Sequence, residues 1–96
     1  MWIMEKLQSL RRKIEKIDLR LLDLIVARLR LAPQFARVKY NQRLPLRQIG
    51  RERELLERYK LRAKRKQMDE KMVERIFKIL MHASLKEQEK FLKKKI

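Results

Sequence analysis

IMEKLQSLRRKIEKIDLRLLDLIVARLRLAPQFARV, running from Ile3 to Val38, is the stretch on which the fold turns. Residues spaced alternately four and three apart are Ile3, Leu7, Leu10, Ile14, Ile17, Leu21, Leu24, Arg28, Leu31, Phe35 and Val38, a helical seam broken once, by an arginine. The seam predicts a first helix from about residue 4 to about residue 40. At ~1.5 Å per residue it would be roughly 54 Å long, longer than a globular domain of this mass is wide. Such a helix needs a partner chain. Pro33 removes one backbone donor and clashes with the carbonyl four residues earlier, so a kink is expected between Leu29 and Pro33. Because the seam resumes in phase at Phe35 and Val38, one kinked helix is expected.

Downstream, Asn41 to Pro45 reads as a loop, since Leu44 precedes a proline and polar residues replace the periodic ones. A second helix is expected from about residue 47 to 64, with Ile49, Leu55, Leu56 and Tyr59 on its apolar face and Gly50 a weakness near its start. Asp69 is placed to N-cap a third helix reaching about residue 93, with Val73, Ile76, Phe77, Leu80, Leu85 and Phe91 inward. The expected fold is an all-α, three-helix protomer occupying residues 1–96 as one domain, intertwined with an antiparallel copy of itself. One Gly and two Pro in 96 residues leave too few turn formers for a sheet protein, and 45% hydrophobic residues are too many for a disordered tail.

Composition also narrows the chemistry. With no cysteine, disulfides, thiolate nucleophiles and cysteine-ligated metal centres are excluded. His82 is the only histidine and has no obvious serine–acid pair, which argues against a hydrolytic triad and against a metal site. A single glycine rules out a glycine-rich phosphate loop. The opening residues Met1–Ser9 carry Glu5 and Lys6 and lack a signal-peptide pattern, and no run approaches the ~20 apolar residues of a membrane span. A soluble, cytoplasmic protein is the expectation. A formal net charge of +16 predicts attraction to anions without choosing among nucleic acid, an acidic membrane and a small polyanionic ligand.

Polar residues on apolar stripes give the choice direction. Arg28 stands in the seam between Leu24 and Leu31, and a guanidinium buried without an anion costs several kcal/mol, so either an internal carboxylate or an anionic ligand must meet it. Arg11 and Lys39 lie in the column beside the seam. Arg28 and Lys39 are eleven positions apart, about 16 Å of rise, so two long side chains leaning together can grip one small ligand. Arg11 lies seventeen positions from Arg28, about 26 Å away, and reaches that ligand only from an antiparallel second copy. On the third helix Ser84 and Gln88 continue the stripe of Val73, Phe77 and Leu80; on the second, Glu52 shares the face of Leu55, Leu56 and Tyr59. Singly, each reads as a satisfied core polar group or a surface charge. Together they suggest a polar pocket in an apolar bundle, with no strong candidate nucleophile.

These residues resemble the all-helical chorismate mutases, the AroQ class. The motifs are Leu10-Arg11-Arg12-Lys13-Ile14, Ile17-Asp18, Leu21-Leu22, Arg28, Lys39, Arg51-Glu52-Arg53-Glu54-Leu55-Leu56, and Ser84 with Gln88, spread over nearly the whole chain. The resemblance implies a homodimer of three-helix protomers with two sites, each built from both chains, acting on chorismate without metal or cofactor. It implies that Arg28 and the partner's Arg11 bind the substrate carboxylates, that Ser84 and Arg51 hold the ring end, that Lys39 and Gln88 flank the ether oxygen, and that Glu52 receives the ring hydroxyl. It depicts neither a specific nucleic-acid partner nor a membrane. Gln48 stands where relatives often carry an acid near that hydroxyl, and Pro33 falls between Arg28 and Lys39. Three other readings compete: an isochorismate pyruvate lyase, which also relies on arginines and a lysine; a basic helical polyanion binder; and a catalytically silent scaffold.

Overall fold

A computed structural model describes residues 2–95 of the chain. The described residues form four helical segments and no strand: α1 (Trp2–Arg30), α2 (Ala32–Asn41), α3 (Ile49–Arg65) and α4 (Glu70–Lys95). The all-α expectation is met. The expected first helix is α1 and α2, separated only by Leu31, whose φ of −78° and ψ of −17° remain helical. Leu31 donates its N–H to the Arg28 carbonyl at 3.2 Å and accepts from the Phe35 N–H at 3.0 Å, so the ladder re-forms on the far side of Pro33. The break is therefore the missing proline donor, and the chain path continues as a kinked helix. The second helix begins at Ile49, two residues later than expected. The third runs two residues further than expected.

Local chemistry accounts for the ends. Asp69 Oδ1 accepts from the backbone N–H groups of Lys71 (2.9 Å) and Met72 (3.3 Å), the N-cap expected of it. The C-termini of α2 and α3 share a motif that the sequence did not advertise. Leu44 N–H bonds to Lys39 O (2.8 Å) and Arg43 N–H to Tyr40 O (3.1 Å); likewise Met68 N–H bonds to Ala63 O (2.8 Å) and Gln67 N–H to Lys64 O (3.1 Å). These are paired Schellman closures, in which the residue after the cap is left-handed. Arg43 (φ 57°) and Gln67 (φ 58°) occupy those positions without the freedom of glycine.

Helix α4 is central, with α2 packed on one side and α3 on the other. Ala32 and Ala36 on α2 are fully buried, their small side chains permitting close approach. Arg37 over the Phe91 ring and Lys95 over the Tyr40 ring, at 5.5 and 5.9 Å, tie α2 to the end of α4. On the other side the Tyr59 and Phe77 rings lie 4.5 Å apart between α3 and α4, beside buried Ala63 and Val73.

Little else is covered. Helix α1 has no buried residue, and every hydrophobic member of the seam from Ile3 to Val38 is exposed. Ile49 and Ile76, expected inward, are also exposed, at 56% and 44%, because no element of the protomer lies over their faces. The molecule measures 62 × 31 × 14 Å with a radius of gyration of 17.9 Å, against ~12.5 Å for a compact chain of this length. Its accessible surface is 8688 Å². A compact 11.9 kDa monomer would expose about 6,000 Å². The excess is roughly 2,700 Å² per protomer, about 5,400 Å² for a pair, which is the size that the largest obligate homodimer interfaces bury in total.

Candidate active site

Three helices bring Arg28, Lys39, Ser84 and Gln88 to the same half-buried region. Lys39, near the end of α2, donates from Nζ to Gln88 Oε1 (2.9 Å) and to the Leu46 carbonyl (2.7 Å) in the α2–α3 connection. The Phe35 ring lies 5.6 Å from the same ammonium. Gln88, only 5% exposed, donates from Nε2 to Ser84 Oγ at 3.3 Å, one turn back along α4. Facing an ammonium with an amide NH₂ would be repulsive, so the Lys39 charge sets the amide with its oxygen toward Lys39. An ammonium has three donors and a primary amide two. Lys39 and Gln88 each therefore retain one N–H beyond those engaged here.

Arg28, at the end of α1, is half-buried and donates from NH1 to the Leu80 carbonyl of α4 at 3.1 Å. No carboxylate pairs with it among the described residues. Of the two ways to meet a seam arginine, the internal acid is therefore not found among the described residues. Glu52, in the first turn of α3, lies close enough to Lys39 to favour its charged form, and pairs with Arg47 Nε at 3.4 Å. Burial acts more strongly on Lys39 than that carboxylate does, and its pKa falls below the ordinary lysine value.

The remaining expected residues are engaged elsewhere. Arg51 NH1 pairs with Glu54 at 3.2 Å and its side chain is about half exposed. Gln48 Nε2 bonds to the Pro45 carbonyl at 2.6 Å within its own loop. Arg11 is exposed on the uncovered part of α1. A groove of about 630 Å³ between α3 and α4 includes Glu52 but none of Arg28, Lys39, Ser84 or Gln88. Volume is a poor guide here, because the Arg28–Gln88 region borders an uncovered helix and so lacks a wall. Sequence reasoning missed the Leu46 carbonyl and the Arg47–Glu52 pair. A backbone acceptor leaves no signature in side-chain identity, and an i,i+5 pair spanning a helix start has no periodic signal.

Fold and site together define an all-α protein in which cations, an amide and a hydroxyl converge in a half-buried region, with the Glu52 carboxylate near Lys39. A family profile described as chorismate mutase type II matches residues 10–89. A protein of Methanocaldococcus jannaschii named chorismate mutase is 32% identical over 90 residues, covering 94% of this chain and 91% of that protein. The bifunctional chorismate mutase/prephenate dehydratase of Escherichia coli is 35% identical over 86 residues, 90% of this chain but 22% of that protein; that of Enterobacter agglomerans is 33% identical over 90 residues and is 23% covered. The chain thus spans a quarter or less of the length of its bifunctional relatives. It belongs to the type II chorismate mutase family, the resemblance expected from its motifs. Among the described residues, no helix is long and apolar enough to cross a membrane.

Proposed function

We propose that the protein is a chorismate mutase acting as an antiparallel homodimer, rearranging chorismate to prephenate in aromatic amino-acid biosynthesis. The observation that carries this reading is the pair of unspent donors on Lys39 and Gln88, two side chains joined by the 2.9 Å bond from Nζ to Oε1, beside an arginine with no carboxylate partner among the described residues. The reaction breaks one C–O bond and forms one C–C bond within a single molecule, so no proton, electron or leaving group departs. The site has to hold the enolpyruvyl arm over the ring and stabilise the negative charge growing on the ether oxygen. Lys39 supplies a full charge there and Gln88 a neutral donor whose state does not change with pH.

Arg28 takes one substrate carboxylate. The partner's Arg11 takes the other, crossing from the antiparallel copy, since 26 Å of rise separates the two within one chain by the ~1.5 Å per-residue estimate. Ser84 and Arg51 hold the ring end, Arg51 exchanging Glu54 for substrate. Glu52 is the main acceptor for the ring hydroxyl. The exposed seam and the excess surface support pairing of the long helices, which also supplies the missing wall. Residues 1–96 act as one domain within that dimer. The test is loss of chorismate absorbance by purified protein, with direct detection of prephenate. The Arg28→Ala variant is expected to lose activity by an order of magnitude or more while staying folded. A folded dimer that yields no prephenate would refute the reading.

A further inference from the structure

We infer that Gln48 is a positioning residue, which sets the Lys39 ammonium through the backbone of the α2–α3 connection and not by touching substrate. Lys39 is tied to that connection twice. Its carbonyl accepts the Leu44 N–H at 2.8 Å as part of the α2 closure, and its Nζ donates to the Leu46 carbonyl at 2.7 Å. Between the two anchors lies Pro45, whose ring fixes φ and restricts how the peptide carrying the second anchor can turn. Gln48 closes the arrangement, with its Nε2 donating to the Pro45 carbonyl at 2.6 Å. Its own main-chain carbonyl accepts the Glu52 N–H at 2.9 Å, joining the loop to the first turn of α3.

Geometry gives this arrangement its consequence. A lysine side chain has four rotatable carbons and holds no position by itself. With two of three ammonium protons directed at Leu46 O and Gln88 Oε1, the direction of the third is set. Freeing the Pro45–Leu46 backbone releases one of those two acceptors and lets that third N–H wander. A misplacement of about 1 Å can cost as much as 10²-fold in rate.

The inference rests on the mutase reading for its kinetic arm and separates cleanly from the alternative role of Gln48 as acceptor for the substrate hydroxyl. Gln48→Ala removes the donor to Pro45, and Gln48→Glu replaces it with a carboxylate that repels Pro45 O yet would accept a hydroxyl better than the amide does. Positioning therefore requires both variants to lose kcat, by about tenfold, with KM within about threefold of wild type. The second readout needs no turnover: proton exchange of the Lys39 ammonium in the full-length ¹⁵N-labelled protein, expected to quicken by about tenfold or more in both variants with helix content unchanged. Unchanged Lys39 exchange in Gln48→Ala, or a Gln48→Glu enzyme with lower KM and undiminished kcat, overturns the inference. Absence of prephenate from wild type would sink the mutase reading instead, leaving the exchange measurement to decide on the positioning.

Discussion

Mixing two impaired variants tests the proposed two-chain site most directly. Arg28→Ala removes a guanidinium whose sole partner among the described residues is the Leu80 carbonyl at 3.1 Å, and Arg11→Ala removes one that is exposed on the uncovered helix. A hydrogen bond from a charged donor contributes about 1.5–3 kcal/mol, so each substitution alone should lower kcat/KM roughly ten- to 150-fold. If the site joins Arg28 of one protomer to the partner's Arg11, a mixed dimer holds one site with both arginines and one with neither. Random re-pairing of equal amounts makes about half of the dimers mixed, each with one good site of two, so activity should return to about a quarter of wild type. The variants are unfolded together in denaturant, refolded, and assayed by chorismate absorbance against each variant refolded alone. If both arginines served a site within one chain, every site in the mixture would lack one of them. Recovery no greater than the sum of the separate variants would refute the shared site.

Arg43→Gly and Gln67→Gly should each stabilise the fold by about 0.5–1 kcal/mol, because each relieves a side chain held at positive φ in a helix closure; denaturant midpoints at unchanged slope check this. Ile17→Lys, in the middle of the exposed seam, should turn a dimer with concentration-dependent melting into a less stable monomer, since burial of an isoleucine contributes about 1.5–3 kcal/mol and is lost twice per dimer; sedimentation at micromolar concentration reads the outcome. For Lys39, burial lowers the pKa below the unfolded value of 10.5, so between the two values the unfolded chain binds more protons and stability contributed by this group rises with pH. The proposed activity runs oppositely, because the proposed mechanism uses the ammonium. The kcat/KM profile, which reports groups of the free protein, should fall on the alkaline side below 10.5, and Lys39→Ala should abolish that limb along with most of the activity.

Much of the fold was legible because helical periodicity is local. The four-and-three spacing from Ile3 to Val38, the proline at 33 and the aspartate at 69 each act within one or two turns, and each did in the structure what its neighbours in sequence dictate. Arg28, Lys39, Ser84 and Gln88 were legible for a related reason: a polar side chain on an apolar stripe is anomalous wherever it folds. Tertiary structure alone decided what those anomalies meet. That Lys39 bonds Gln88 across 49 positions and Leu46 through a main-chain oxygen, and that Arg28 finds a carbonyl of α4, depends on how α2 and α4 pack. The left-handed turns at Arg43 and Gln67 were invisible because neither residue type favours that conformation; the closure of the helix imposes it. The direction of inwardness was equally undetermined, since Ile49 and Ile76 sit on proper stripes yet lie open in the protomer. Periodicity states that a face is apolar, and only the arrangement of whole helices states what covers it.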